Sequence, residues 1–235
     1  MKKTKNYENF LEIKETAYAS WRRLNIFGEE YLKYKQNHKK PISVLDIGCG
    51  RDVYLKKFQI KGDKYYGCDF YKEPKTKLDG YIQIDLNKEQ INKKFKNKQF
   101  DVIFCGEVIE HLFSPDDLLE EIRDLMHKDS ILILSTPNLG YYMNRFLLLF
   151  GISPLFLENS SYFKLGRKYN FFGQGNTTEG HIRLFTYGAL RDLLKMKKYK
   201  IADIRPALIW NFWPDRIVNH ISKSLSPDNV YILKK

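Results

Sequence analysis

The sequence predicts an α/β fold with a mostly parallel sheet and helices on both faces. Three observations carry this. Short apolar runs alternate with helix-patterned segments between residues 42 and 137, the first run ends in glycines, and an Asp closes each of the next two.

In chain order, residues 1–40 read as a helical segment. NYENFLEIKETAYASWRRLNIFGEEYLKYKQ carries aromatic and apolar residues at helical spacing, and Trp21 is expected in the core. ISVLDI (42–47) is a buried strand, and YLKKF after its glycines opens a helix. KYYGCD (64–69), YIQIDL (81–86) and DVIFCG (101–106) are the next strands. SPDDLLEEIRDLM begins with serine, proline and acids, as helix starts do, and SILILSTP (130–137) is a fifth strand. Residues 138–180 lose clean periodicity and read as an acceptor-side insertion or lid. TYGALRDLLKMKKY then resumes a helix behind a Thr cap, and IADIRPALI and NVYILKK read as two closing strands. With no repeat and no interdomain linker, residues 1–235 are expected to form a single domain.

The 235 residues carry a formal charge of +12. That charge suits RNA, anionic membranes or phosphorylated substrates, but much of it lies in lysine runs of the kind found on solvated surfaces, so nucleic acid is not favoured. The three cysteines lack the spacing of a zinc site or disulfide framework, the N-terminus lacks the apolar stretch of a secretion signal, and no apolar run is long enough to span a membrane. A cytoplasmic location is the expectation. Composition leaves the oligomeric state open.

VLDIGCG (44–50) joins a strand to a turn whose glycines let a ligand approach the backbone. Asp69, nineteen residues past Gly50, ends the next strand where a carboxylate can accept both ribose hydroxyls of a nucleoside. Asp85 ends the third strand, placed for an adenine amino group, with Leu86 against the ring. A nicotinamide-binding turn fits poorly, since GCGRD lacks the third glycine of Gly-x-Gly-x-x-Gly.

The order VLDIGCG, YYGCD, IQIDL, FDVIFCGEVIEHL, ILILSTPN resembles the class I S-adenosylmethionine-dependent methyltransferases over residues 42–137. The resemblance implies a Rossmann-like seven-stranded sheet whose last strand is antiparallel. It also implies S-adenosyl-L-methionine as cofactor, with Asp46, Gly48, Cys49 and Gly50 around its methionine part. Asp69 would take the ribose, Asp85 and Leu86 the adenine, and Phe70, Cys105 and Glu107 would complete the cofactor side. Asp52 departs from the glycine many members have two residues after the motif.

In EVIEH, Glu107, Glu110 and His111 stand at i, i+3 and i+4, one face of a helix. Methyl transfer to a hydroxyl needs a base, and His111 and His181 are the candidate catalytic residues. Glu107, Glu110, His111 and His181 are also a candidate divalent-metal set, since EVIEH resembles the metal-binding segment of small-RNA 3′-terminal 2′-O-methyltransferases and ubiquinone-pathway O-methyltransferases. STPN, the aromatic region after it and GHIRLFT resemble bacterial methyltransferases of polysaccharide biosynthesis. In that region Tyr141, Tyr142, Arg145, Tyr162, Lys164, Arg167, Lys168, Tyr169 and Phe172 offer rings and cations to a sugar or its phosphate. The leading expectation is an O-methyltransferase acting on a small or carrier-linked acceptor, a sugar or nucleotide-sugar hydroxyl. The alternatives are an RNA 2′-O-methyltransferase and a non-catalytic cofactor-binding module.

Overall fold

The computed structural model describes residues 19–96, 98–166, 178–208 and 213–235, with side chains from residue 22 onward. The helices expected before residue 19, the side chain of Trp21, and lid residues Arg167, Lys168, Tyr169 and Phe172 lie outside what is described.

Seven strands form one sheet: β1 Ser43–Ile47, β2 Lys64–Asp69, β3 Gly80–Gln83, β4 Phe100–Gly106, β5 Met126–Pro137, β6 Lys200–Ala207 and β7 Asp228–Lys234. Their order is β3-β2-β1-β4-β5-β7-β6. β1 to β5 pair in parallel, and β7 runs antiparallel to both β5 and β6. The order reverses between β1 and β4, so a crevice opens at the carboxyl ends of those strands, where open α/β sheets bind ligands. The expected seven-stranded, Rossmann-like sheet with an antiparallel last strand is the one observed.

Both faces are covered because the parallel strands are apolar on both sides. The helices are α1 Ala19–Asn37, α2 Ile91–Lys94, α3 Pro115–Asp124, α4 Tyr142–Leu149, α5 Tyr187–Met196 and α6 Trp213–Ile221. On one face α1 lays Phe27 and Tyr31, spaced i, i+4, against Phe104 of β4 at ring-centroid distances of 5.7 and 6.4 Å. On the other, Leu119 and Ile122 of α3 and Leu190 and Leu194 of α5 share a core with Ile103 and Leu132. α3 starts as its sequence dictates: Ser114 accepts a hydrogen bond from the Asp117 N–H, and Pro115 fills the first turn. Thr186 caps α5 in the same way, through the Ala189 N–H.

Three local expectations change. YLKKF becomes a short 3₁₀ turn, Tyr54–Phe58, entered through Val53 in the left-handed region at φ 46°. β3 stops at Gln83, so Asp85 sits in the turn after it and accepts from the Asn87 N–H. EVIEH is no helix face: Glu107 is left-handed at φ 56°, and only Ile109–His111 form a 3₁₀ turn.

The chain leaves the sheet after β5 and returns beside the same point. Asn138 pairs with Phe185 across an isolated bridge. Its amide donates to the Ser224 and Ser226 carbonyls at 2.9 and 2.7 Å and accepts from Gly140 and Tyr187 N–H at 2.9 and 3.2 Å.

Candidate active site

The glycine turn after β1 is shaped by its neighbours. Gly48 has φ +68°, and a Cβ there would lie 2.4 Å from a Val108 methyl, so the sequence requires glycine at this position. The N–H groups of Gly48 and Cys49 donate to the Cys68 carbonyl, and the Gly50 N–H donates to Asp69 at 2.8 Å. Asp69 therefore already braces the turn, with its other oxygen on the Tyr71 N–H.

A cleft of about 570 Å³, including its open mouth, lies over this turn and is lined by Asp46, Gly48, Cys49, Gly50, Gly106, Tyr54 and Arg23. Asp46 is buried and accepts from the Tyr65 hydroxyl at 2.7 Å. Burial pushes its carboxyl up to about 7; the Tyr65 hydrogen bond opposes this and the nearby Asp69 charge adds to it.

The remaining cofactor-side candidates are dispersed. Phe70 is exposed and leans on Tyr71 at 4.1 Å between ring centroids. Asp85 pairs with Lys88 at 2.8 Å, and that contact with the Asn87 N–H holds its carboxyl below the usual range. Leu86 lines a separate cleft with Asn87 and Phe113. Cys105 is fully buried in the core, and burial raises its thiol.

Glu107 turns away from Glu110. It accepts from the Ser135 hydroxyl at 2.9 Å and pairs with Arg23 at 3.0 Å, and the same guanidinium nitrogen reaches Asp228 at 3.1 Å. Arg23 was missed at the sequence level. The available signal was a cation four residues before Phe27 and eight before Tyr31, on the buried face of an amphipathic helix, where a charge needs an acidic partner.

Glu110 is fully buried, with one oxygen on the Thr136 hydroxyl at 3.0 Å and the other without a partner. Burial, and next the Glu107 charge, raise its carboxyl well above the ordinary value. His111 Nδ1 lies 3.0 Å from the Gly180 carbonyl and His181 Nδ1 lies 3.1 Å from the Phe156 carbonyl. A carbonyl only accepts, so each Nδ1 carries a proton and Nε2 is the other ring nitrogen; that of His111 lies 4.0 Å from Glu110 and that of His181 lies 3.7 Å from Glu179. The rings sit 5.0 Å apart, and one ligand atom from each of Glu110, His111 and His181 lies within 4.8 Å of the others. The expected four-residue metal set is thus reduced to three, because Glu107 is engaged by Arg23 and Ser135.

One carboxylate holds this geometry from outside. Glu158 accepts from the N–H groups of Glu179, Gly180 and His181 at 2.6, 2.8 and 2.9 Å. Burial opposes its ionisation, but the three donors outweigh it and hold the carboxyl below the usual range. Glu158→Ala should release the turn that presents both His181 and the Gly180 carbonyl, lowering kcat about tenfold with little change in cofactor affinity. Glu158→Gln, which keeps two of the acceptor contacts, should recover part of the loss. Steady-state kinetics on the two variants check this, and equal kcat in both would remove Glu158 from that role.

Among the described residues after β5, three polar candidates are used within the protein. Tyr141 is buried with its hydroxyl on Asp215 at 2.7 Å, Arg145 donates to the Gly140 carbonyl, and Lys164 pairs with Glu179 at 2.6 Å. Tyr162 is exposed. No helix of the described residues is long and apolar enough to cross a membrane.

Comparison with known proteins agrees with this frame. The family model described as a methyltransferase domain matches residues 18–201. A ubiquinone biosynthesis O-methyltransferase of Actinobacillus pleuropneumoniae serotype 5b (strain L20) is 29% identical over 126 residues, covering 49% of this chain and 54% of that one. The corresponding Rickettsia bellii (strain OSU 85-389) protein is 26% identical over 121 residues, covering 49% and 50%. The chain thus spans about half the length of the curated relatives it matches. Among solved structures, a Clostridium acetobutylicum ATCC 824 S-adenosylmethionine-dependent methyltransferase shares the fold at TM-score 0.58 and 12% identity, covering 97% of this chain and 98% of that one. The Burkholderia thailandensis 1,6-didemethyltoxoflavin-N1-methyltransferase, solved with S-adenosylhomocysteine bound, does so at TM-score 0.55 and 14% identity over 100% and 91%. With the family model covering most of its length and the glycine turn, strand order and crevice in place, the chain belongs to the methyltransferase domain family, as a class I S-adenosylmethionine-dependent methyltransferase.

Proposed function

We propose that the chain transfers the methyl group of S-adenosylmethionine to the oxygen of a phenol-like hydroxyl on a small acceptor. The observation that carries this reading is the pair of Nε2 atoms, on His111 and His181, gathered beside buried Glu110 a few residues from Gly106, which lines the cleft. In the reaction the S–CH₃ bond breaks as the O–CH₃ bond forms, and the hydroxyl proton passes to one Nε2. Asp46 and the turn Gly48 to Gly50 would hold the methionine part, with Arg23 toward its carboxylate and Asp69 toward the ribose.

Magnitudes separate the acceptor classes. Moving a proton from a phenol to an ordinary imidazole is uphill by about 5 kcal/mol, from pKa values of about 10 and 6.5. From a sugar or ribose hydroxyl, less acidic than a phenol, the transfer is further uphill. The sugar hydroxyl expected from the sequence is therefore the harder acceptor, and so is an RNA 2′-hydroxyl. Of the described candidates for sugar contacts, Tyr141, Arg145 and Lys164 are engaged within the protein. The names of the curated relatives, O-methyltransferases of ubiquinone biosynthesis, favour an oxygen acceptor.

The unpartnered Glu110 oxygen and the two histidine Nε2 atoms also fit a divalent cation. When bound there, such an ion would lower the pKa of an acceptor hydroxyl. The test is product analysis with labelled cofactor against catechols, nucleotide sugars and short RNAs, each with and without chelator. O-methylated catechol formed in chelator is the expected result; methylation confined to sugars or RNA overturns the phenol reading.

Cofactor binding should depend on pH through Asp46. Its folded carboxyl, near 7, lies above the ordinary Asp value, so the folded protein binds this proton more tightly than the unfolded chain does. Asp46's contribution to stability is therefore full below about pH 4 and is lost as pH rises through 7. A cationic ligand favours the ionised form, so affinity for S-adenosylmethionine should rise about tenfold from pH 6 to pH 8. Calorimetry across that range checks it; Asp46→Asn should bind weakly with no such dependence.

A further inference from the structure

We infer that α4 and α6 form a docking surface for an anionic lipid bilayer. Both helices turn apolar side chains outward. Phe146, Leu149 and Phe150 stand exposed on and just after α4, Leu149 at 82%. On α6, Trp213, Ile217 and Ile221 recur at i, i+4 and i+8 and are 69%, 53% and 72% exposed. Successive four-residue steps keep these three on one stripe of the helix. The two helices are tied at their starts, where the Tyr141 hydroxyl beside α4 donates to Asp215 of α6 at 2.7 Å.

Exposed apolar residues grouped in this way mark an interaction surface rather than ordinary solvent-facing surface. Charge selects the occupant. Asp215 is the only acid in either helix and is fully buried, whereas the arginines Arg145 and Arg216 are exposed on them. The whole chain carries +12. Two copies meeting through this face would bring like charges together, whereas an anionic bilayer attracts the cations while its acyl boundary takes the apolar stripe. Trp213 suits this depth, since an indole prefers the membrane–water interface. The helices would lie in that interface.

The surface is tested without cofactor or acceptor, so its outcome is independent of the proposed reaction. The intact protein is sedimented with vesicles of phosphatidylglycerol and phosphatidylcholine, and with vesicles of phosphatidylcholine alone. Expected is pelleting with the anionic vesicles, weakened in about 0.5 M salt. It should fall at least tenfold in Leu149→Ser/Phe150→Ser and in Ile217→Ser/Ile221→Ser. Met196→Ser, on α5 and also exposed, should pellet like the parent; circular dichroism verifies that every variant is folded. No pelleting with anionic vesicles overturns the inference, as does pelleting unchanged in both paired variants. So does a dimer in sedimentation equilibrium that those variants dissociate while vesicle binding is absent.

Discussion

Replacing His111 with alanine is expected to lower kcat by about 10²–10⁴-fold, the usual range for loss of a positioned base, while affinity for S-adenosylmethionine stays within about twofold. Its Nδ1 is committed to the Gly180 carbonyl, so Nε2 is the atom left for the proposed proton transfer. His181→Ala should act in the same direction. The double variant should lose little more than the worse single one, because residues acting as a unit are not additive. Single-turnover kinetics with a methylated-product readout separate chemistry from binding. A His111→Ala enzyme within threefold of the parent would remove the histidine from the reaction.

The second large effect concerns stability. Arg23 serves Glu107 and Asp228 together, and Asp228 is fully buried with one oxygen lacking any other partner. Burial raises the Asp228 carboxyl, the Glu107 charge adds to this, and Arg23 is what opposes both. Arg23→Met keeps much of the aliphatic stem but leaves the acids uncompensated, and should cost about 3 kcal/mol, the low end for breaking a buried pair since Glu107 is partly exposed. Tm should fall by roughly 6–12 °C for a chain of this size. The raised Asp228 carboxyl escapes the penalty by protonating, so the loss should be smaller at pH 6 than at pH 8. Adding Asp228→Asn should restore part of it. Thermal unfolding of the three proteins at both pH values decides the matter, and a Met variant as stable as the parent would show that the pair contributes nothing.

The sheet was legible because its strands are apolar on both faces and punctuated by glycine and aspartate, a local signal. ISVLDI and KYYGCD became β1 and β2 almost residue for residue. Features set by distant partners were not legible. Glu107, Glu110 and His111 have helical spacing, but Glu107 adopts a left-handed backbone that splits the group, and Glu110 is then drawn fully inward to Thr136. His181 does reach His111, as the spacing of letters alone had left undecided, because Glu158 gathers the backbone before it. Nothing in the sequence near Glu158 announces that contact. Arg23 fell between the two cases: its place on an apolar helix face was visible, its acidic partners were not.

Asn138 has a consequence for how this architecture diversifies. Because the chain departs toward the lid and returns at one fully satisfied side chain, the length of the excursion is decoupled from the register of β5 and β7. Closing a longer loop on fixed ends costs only about 0.6 kcal/mol per doubling. If the proposed acceptor role holds, exchanging the segment between Asn138 and Phe185 is expected to change the acceptor while leaving the sheet and its glycine turn intact.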